Sequence, residues 1–327
     1  MTLLQKILLA LVVLAAVLPM VGVPQYWLYT LTIGLYYAML ASSWSLLVGY
    51  IGRISFAQAA MSGLGAYVAV LTGQLLGWPV VPSLIAGVVA AGLFGLMIGW
   101  LTLRLHGAYL GLTTIAFAEI LRITVTAEHQ VTQGSRGLQV RPLIEGAGPV
   151  TYYYIFLAAA VVSVLLMLAL LHSRIGLFFQ AIREDEDGTA SLGVNVTLWK
   201  SLAFAASTAF AGFAGGLYAH FVQLITPSMM SMQEMGYILA MAVIGGFSNV
   251  VYAAFGGVIL QVLLEALREM GEWRLAVFGR HRHPYAALCP ERHFRLAGNP
   301  VEAEGQVICR HNLISRIFPR ISAACRR

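Results

Sequence analysis

Seven charged side chains fall between residues 173 and 200, and five of them are consecutive: Arg183, Glu184, Asp185, Glu186 and Asp187. The neighbouring stretches carry almost none, so this segment is expected to stand in water as an exposed hook. A second pair of charges lies in an apolar run. Glu119 is followed three residues later by Arg122, within pairing reach on a helix. A carboxylate at membrane depth is costly unless it faces a cavity or a partner. Two readings therefore stand for Glu119: a helix-end ion pair, or a lining of a translocation path shared with Tyr109, Thr113 and Thr114. Nucleotide chemistry is absent from the chain. It has no Gly-x-x-x-x-Gly-Lys-Ser/Thr phosphate loop, and neither Lys6 nor Lys200 follows a glycine. No catalytic residue and no metal site are expected. His106, His129, His172 and His220 are scattered, and His281, His283 and Cys289 match no zinc spacing with Cys309 and Cys325.

The elements that carry these residues are set by hydropathy. The chain is 59% hydrophobic and 10% charged, against roughly 25% charged in a soluble domain. Residues 7–52, 54–103, 201–233 and 235–264 contain no Asp, Glu, Lys or Arg. About 20 apolar residues cross the hydrocarbon layer as a helix, and only helices satisfy their own backbone there without closing a barrel. The expected fold is therefore all-α, a polytopic transmembrane bundle of about eight helices. They are read at 7–20, 26–48, 56–76, 80–103, 108–125, 152–171 and 201–222. The stretch 237–267 is either two short crossings broken near Gly245-Gly246 or one crossing and a re-entrant piece. Residues 126–150, polar and rich in Gly and Pro, read as a loop. Gly87, Ala91, Gly95 and Gly99 recur every four residues and Gly212 with Gly216 repeats the interval, the pattern that lets membrane helices approach closely.

Charge divides the chain. Residues 1–273 hold 10 Lys+Arg and 11 Asp+Glu; residues 274–327 hold 10 Arg and 3 Glu, with all three cysteines and four histidines. The net charge of +6 thus belongs to the tail and gives the membrane body no affinity for nucleic acid. We read 1–273 as the transmembrane domain. The tail 274–327 is either a basic segment that touches anionic lipid or the product of a shifted frame or truncation that replaces a last helix. At the other end a retained first helix is expected over a cleaved signal peptide, because Pro24 and the next helix follow almost at once.

The segment Ala181-Ile-Arg183, Glu184-Asp185-Glu186, Gly193-Val-Asn195 and Lys200 resembles the cytoplasmic coupling loop of the branched-chain amino acid ABC-importer permeases. The family's usual Ala-Ala pair is Gly188-Thr189 here. Five further matches keep the family's order: Gly49-Tyr-Ile-Gly-Arg-Ile-Ser-Phe-Ala-Gln58 with Gly63-Leu-Gly-Ala-Tyr67, Arg104-Leu-His-Gly-Ala-Tyr109 with Thr114-Ile-Ala-Phe-Ala-Glu119, Gly134-Ser-Arg-Gly137, Ala211-Gly-Phe-Ala-Gly-Gly-Leu-Tyr218 and Val243-Ile-Gly-Gly246. The likeness covers most of 30–270 and ends after Trp273.

The resemblance implies a multi-pass permease of the bacterial inner membrane that carries branched-chain, aliphatic amino acids, or urea or short amides in related members. Its implied partners are a second permease subunit, two ATPase subunits that use ATP-Mg, and a periplasmic binding protein, all working at a lipid bilayer. The chain itself would bind no cofactor. A charged helix of about 15 residues would dock on the ATPase. Glu184, Asp185, Glu186 and Asp187 would offer acceptors, Arg183 would pair across the interface, and Ala181, Ile182, Ala190, Leu192 and Gly193 complete the ATPase-coupling loop. The residue-level alternatives are an ion-coupled carrier, which would show intramembrane carboxylates in two repeats, and a channel, which would show a selectivity-type repeat.

Overall fold

The computed structural model describes residues 15–101, 105 and 108–269. The tail 274–327 and most of the expected first helix lie outside them. The helices that follow are α1 (Gln25–Ile51), α2 (Gln58–Leu75), α3 (Val80–Leu101), α4 (Ala108–Ala127), α5 (Pro149–His172), α6 (Arg174–Glu184), α7 (Glu186–Ser191), α8 (Val196–Val222), α9 (Met232–Gly245) and α10 (Val250–Glu269). Among the described residues six helices, α1, α3, α4, α5, α8 and α10, are long and apolar enough to cross a membrane. The chain is thus a multi-pass helical membrane protein.

Two elements depart from a simple serial bundle. Between Val222 and Met232 the backbone is not helical: Gln223 turns at φ 61, Leu224–Ile225 pairs antiparallel with Leu138–Gln139, and Pro227–Met230 forms a 3-10 turn. These are the two strands, β1 (Leu138–Gln139) and β2 (Leu224–Ile225). Met230 is buried against Gly63 in the first half of α2, so this irregular segment descends into the bundle. Non-helical backbone is tolerated at such depth only where protein covers it. Helix α9 then starts inside the bundle. Its 14 residues reach about 21 Å at 1.5 Å per residue, short of the roughly 30 Å hydrocarbon thickness. The 237–267 stretch is therefore a half-length helix and a full one, with the break at Gly246, whose φ is 104.

The core is built where small residues let backbones meet. Helix α3 packs most extensively on α8, and α2 packs on both. Gly87, Ala91, Gly95 and Gly99 all face neighbours rather than lipid: a Cβ on Gly87 would strike the Gly65 carbonyl, one on Gly95 the Thr208 hydroxyl, and one on Gly99 the Ser201 Cα. Gly212 meets Ala91, and Gly216 meets Leu84. On the other side α1 is sandwiched between α10, α5 and α8.

Candidate coupling foot and transport route

The charged segment folds as two helices, not the single one of about 15 residues expected. Ser173 caps α6 through its hydroxyl, which accepts from the Ile175 N–H (3.2 Å). Gly176, Phe179 and Ile182 form the buried face of α6, at the three-residue interval that keeps one side of a helix together. Trp199 stacks on Phe178 with centroids 4.6 Å apart and meets Phe179 edge-on. Asp185 then leaves helical geometry (φ −150, ψ 106) and caps α7, its carboxylate accepting from the Gly188 N–H at 3.0 Å. A Cβ at Gly188 would crowd that carboxylate, which is a physical reason for glycine in place of the family's alanine.

Glu186 is not aimed at solvent. Arg53 Nη2 donates to its Oε2 at 2.6 Å, and Lys200 Nζ donates to Oε1. The Lys200 and Arg53 side chains are only 5% and 13% exposed. Arg53 also donates from Nη1 to the Leu105 carbonyl at 3.1 Å. One carboxylate thus ties α7 to the 52–57 link after α1 and to the start of α8. Burial works against ionising Glu186, and the Lys200 and Arg53 charges overcome it, so its carboxyl sits below the ordinary carboxylate value. Arg183 donates to the Gly49 carbonyl while the residue as a whole stays exposed. The outward surface of this foot includes Ala181, Arg183, Glu184, Asp185, Asp187, Ala190, Leu192 and Gly193. Leu177 (66%) and Leu192 (84%) are strongly exposed. Ile182 belongs to the packed face.

The four expected path residues are not brought together. Thr114 is fully buried: its hydroxyl donates to the Gly111 carbonyl (2.8 Å) and accepts from the Phe56 N–H (3.0 Å), fastening α4 to the 52–57 link. Thr113 donates back to the Tyr109 carbonyl at 2.8 Å, and the Tyr109 ring is exposed. Glu119 accepts from Arg122 Nε at 2.9 Å and again from Nη2. These two side chains are 43% and 33% exposed, on a helix whose Leu112, Ile120 and Ile123 also face outward.

A different polar line does run through the bundle. Tyr37 donates to Glu234 Oε2 at 2.7 Å, and Glu234 sits in the first turn of α9, capped by Ser231, whose hydroxyl accepts from the Glu234 N–H. Tyr36 beside it stacks on Tyr218 (4.2 Å) and shares a hydrogen bond with Ser62 at 3.1 Å. Nearer the foot, Gln58 donates to the Ser43 hydroxyl and to the Ser207 carbonyl. The place of Glu234 on this line is not among the sequence expectations, which centre on Glu119. The signal that marks it is its isolation: between Lys200 and Glu265 no other Asp, Glu, Lys or Arg occurs.

This arrangement can be set against known proteins. A family model described as the permease component of branched-chain amino acid transport systems matches residues 26–281. The chain belongs to that family. The chain is 29% identical over 279 residues to the high-affinity branched-chain amino acid transport system permease protein LivM of Salmonella typhimurium and to that of Escherichia coli, covering 76% of its length. It spans 65% of the length of those two relatives. It is 30% identical over 256 residues to LivH of Escherichia coli, covering 71% of this chain and 81% of that protein. No solved structure matches the chain. The matched span includes the foot, the Glu186 bridge and Glu234, and it runs past Trp273, further than the motifs alone extend.

Proposed function

We propose that the permease is the membrane-spanning subunit of an importer for branched-chain, aliphatic amino acids in the bacterial inner membrane. In this reading a second permease subunit completes the core, a periplasmic binding protein delivers cargo, and two ATPase subunits using ATP-Mg grip the foot from the cytoplasm. The observation that carries the reading is the construction of the foot. Its outward surface offers carboxylates and two exposed leucines to a partner, while its inward carboxylate is fixed to Arg53 and Lys200. Docking and transmission are thereby assigned to different residues. The route is read along Tyr37, Glu234 and the broken start of α9, since half-helix ends pointing into a bundle suit polar cargo.

The test separates the two jobs. Leu192→Asp, which puts a charge into the apolar contact, is expected to lose ATPase co-purification and labelled-leucine uptake together. Glu186→Ala is expected to keep ATPase co-purification and lose most uptake. Full uptake in Leu192→Asp would remove the docking assignment, and leucine uptake missing from the wild-type assembly would remove the cargo assignment.

A further inference from the structure

At the end of the bundle remote from the foot, a cavity of about 330 Å³ opens among the end of α2, the start of α3, residues 140–145 and the end of α8. That volume is within the range of small-molecule sites, roughly 300–1,000 Å³. Its lining joins apolar Val70 and Val80 to Ser83, Arg141, Glu145 and His220. Two of these polar side chains are buried, Ser83 at 1% and His220 at 5% exposure. Neither the Ser83 hydroxyl nor His220 Nε2 has a hydrogen-bond partner. Leaving a buried polar atom unpaired is costly, and such atoms in a cavity wall are candidates for ligand contacts.

The chemistry of the lining narrows the ligand. His220 Nδ1 lies 2.8 Å from the Arg141 carbonyl oxygen. A carbonyl only accepts, so Nδ1 carries the proton and, in the neutral ring, Nε2 presents a lone pair. That lone pair and the Glu145 carboxylate suit an ammonium group. The Arg141 guanidinium and the Ser83 hydroxyl suit a carboxylate, for which an arginine fork is well shaped. Val70 and Val80 leave room for a hydrocarbon side chain.

We propose that this cavity is an entry site for a free α-amino acid with an aliphatic side chain, holding the ammonium at His220 and Glu145 and the carboxylate at Arg141 and Ser83. The inference rests on the cargo reading above and adds a place where the cargo is held before it reaches the route at α9. It needs no binding protein, so the full chain in lipid nanodiscs suffices for a test by calorimetric titration with L-leucine, 4-methylpentanoate and 3-methylbutylamine. The last two lack the ammonium and the carboxylate respectively. Saturable leucine binding is expected, with both truncated analogues at least tenfold weaker. Arg141→Gln and His220→Gln should each weaken leucine at least tenfold. Arg141 is exposed, so its replacement does not threaten the fold, and glutamine at 220 keeps a donor for the Arg141 carbonyl. Equal binding of all three compounds, or a leucine isotherm unchanged in both variants, would overturn the site. A folded chain with no saturable binding would overturn it too, and leucine uptake by the assembled importer would then leave the cargo reading standing. Binding with these dependences in a chain whose importer carries no leucine upholds the site and removes the cargo reading instead.

Discussion

Glu186 shows what one carboxylate can do when its two oxygens are given different partners. It neutralises Lys200, whose side chain is 5% exposed, and it orients Arg53 toward the Leu105 carbonyl. Losing it leaves a buried ammonium unpaired, which costs more than the roughly 1–3 kcal/mol of an unpaired neutral group. The pH dependence follows from the direction of its shift. The folded carboxyl lies below the ordinary value of 4.5, so the stabilisation is fully present above that value and drains away as pH falls through the lowered one. Glu186→Gln is therefore expected to melt several degrees below the wild type at pH 7, with an unchanged gap at pH 6 and a gap that closes below about pH 4.5. Thermal unfolding of the two proteins in nanodiscs across that range measures it, and a gap that widens in acid would rule the bridge out as the source.

At the scale of elements, most of the bundle was legible and the two exceptions share a cause. Charge-free runs and their Gly and Pro breaks locate α1, α3, α5 and α8 to within a few residues, because an apolar stretch long enough to span lipid has few other uses. The end of α9 was legible as the break near Gly245-Gly246, but its start was not. Hydropathy registers that 201–233 and 235–264 lack charge, but not that the chain turns to irregular backbone after Val222 and resumes a helix at Met232. The foot was readable as charged and exposed, yet which carboxylate turns inward depends on Arg53 and Lys200, 133 and 14 residues away from Glu186. The same blindness grouped Tyr109, Thr113, Thr114 and Glu119 by sequence, whereas packing separates them. These placements favour α9 over α4 as the lining of the route. Glu119 is already matched by Arg122 on its own helix, while Glu234 shares the start of a half-helix with Tyr37 and the tyrosine stack. Glu234→Gln is expected to slow labelled-leucine uptake by roughly tenfold, a rate change worth about 1.4 kcal/mol, and Glu119→Gln to leave it within roughly threefold. The reverse order would return the route to α4.

Across the whole molecule, the bridge at Glu186 adds an ionic tie to a foot that already packs on the bundle through Gly176, Phe179 and Ile182. The foot touches the end of α1 through Arg183 and Gly49, the 52–57 link through Arg53, and the start of α8 through Lys200. From there α8 runs the length of the bundle against the small-residue face of α3 and ends beside His220 and the irregular segment that leads to α9. A displacement of the foot would therefore reach a helix that extends both to Glu234's neighbourhood, through Tyr218, and to the remote cavity. Packed interfaces of this kind hold discrete arrangements and pass small shifts along. If the ionic bridge is the connection, its sign pattern matters more than the identity of each residue. Glu186→Lys places three cations together and Lys200→Glu sets two carboxylates side by side, so each alone is expected to cut leucine uptake by roughly tenfold or more. The double exchange rebuilds an opposite-charge pair and should recover uptake to within roughly threefold of the wild type, a coupling that single-site damage to the fold does not produce. ATPase co-purification should stay constant through the series, because Leu192 and the outward carboxylates are untouched. An exchange mutant as inactive as the worse single variant would mean that Glu186 and Lys200 act on separate partners, and that the foot drives the bundle by some path other than this bridge.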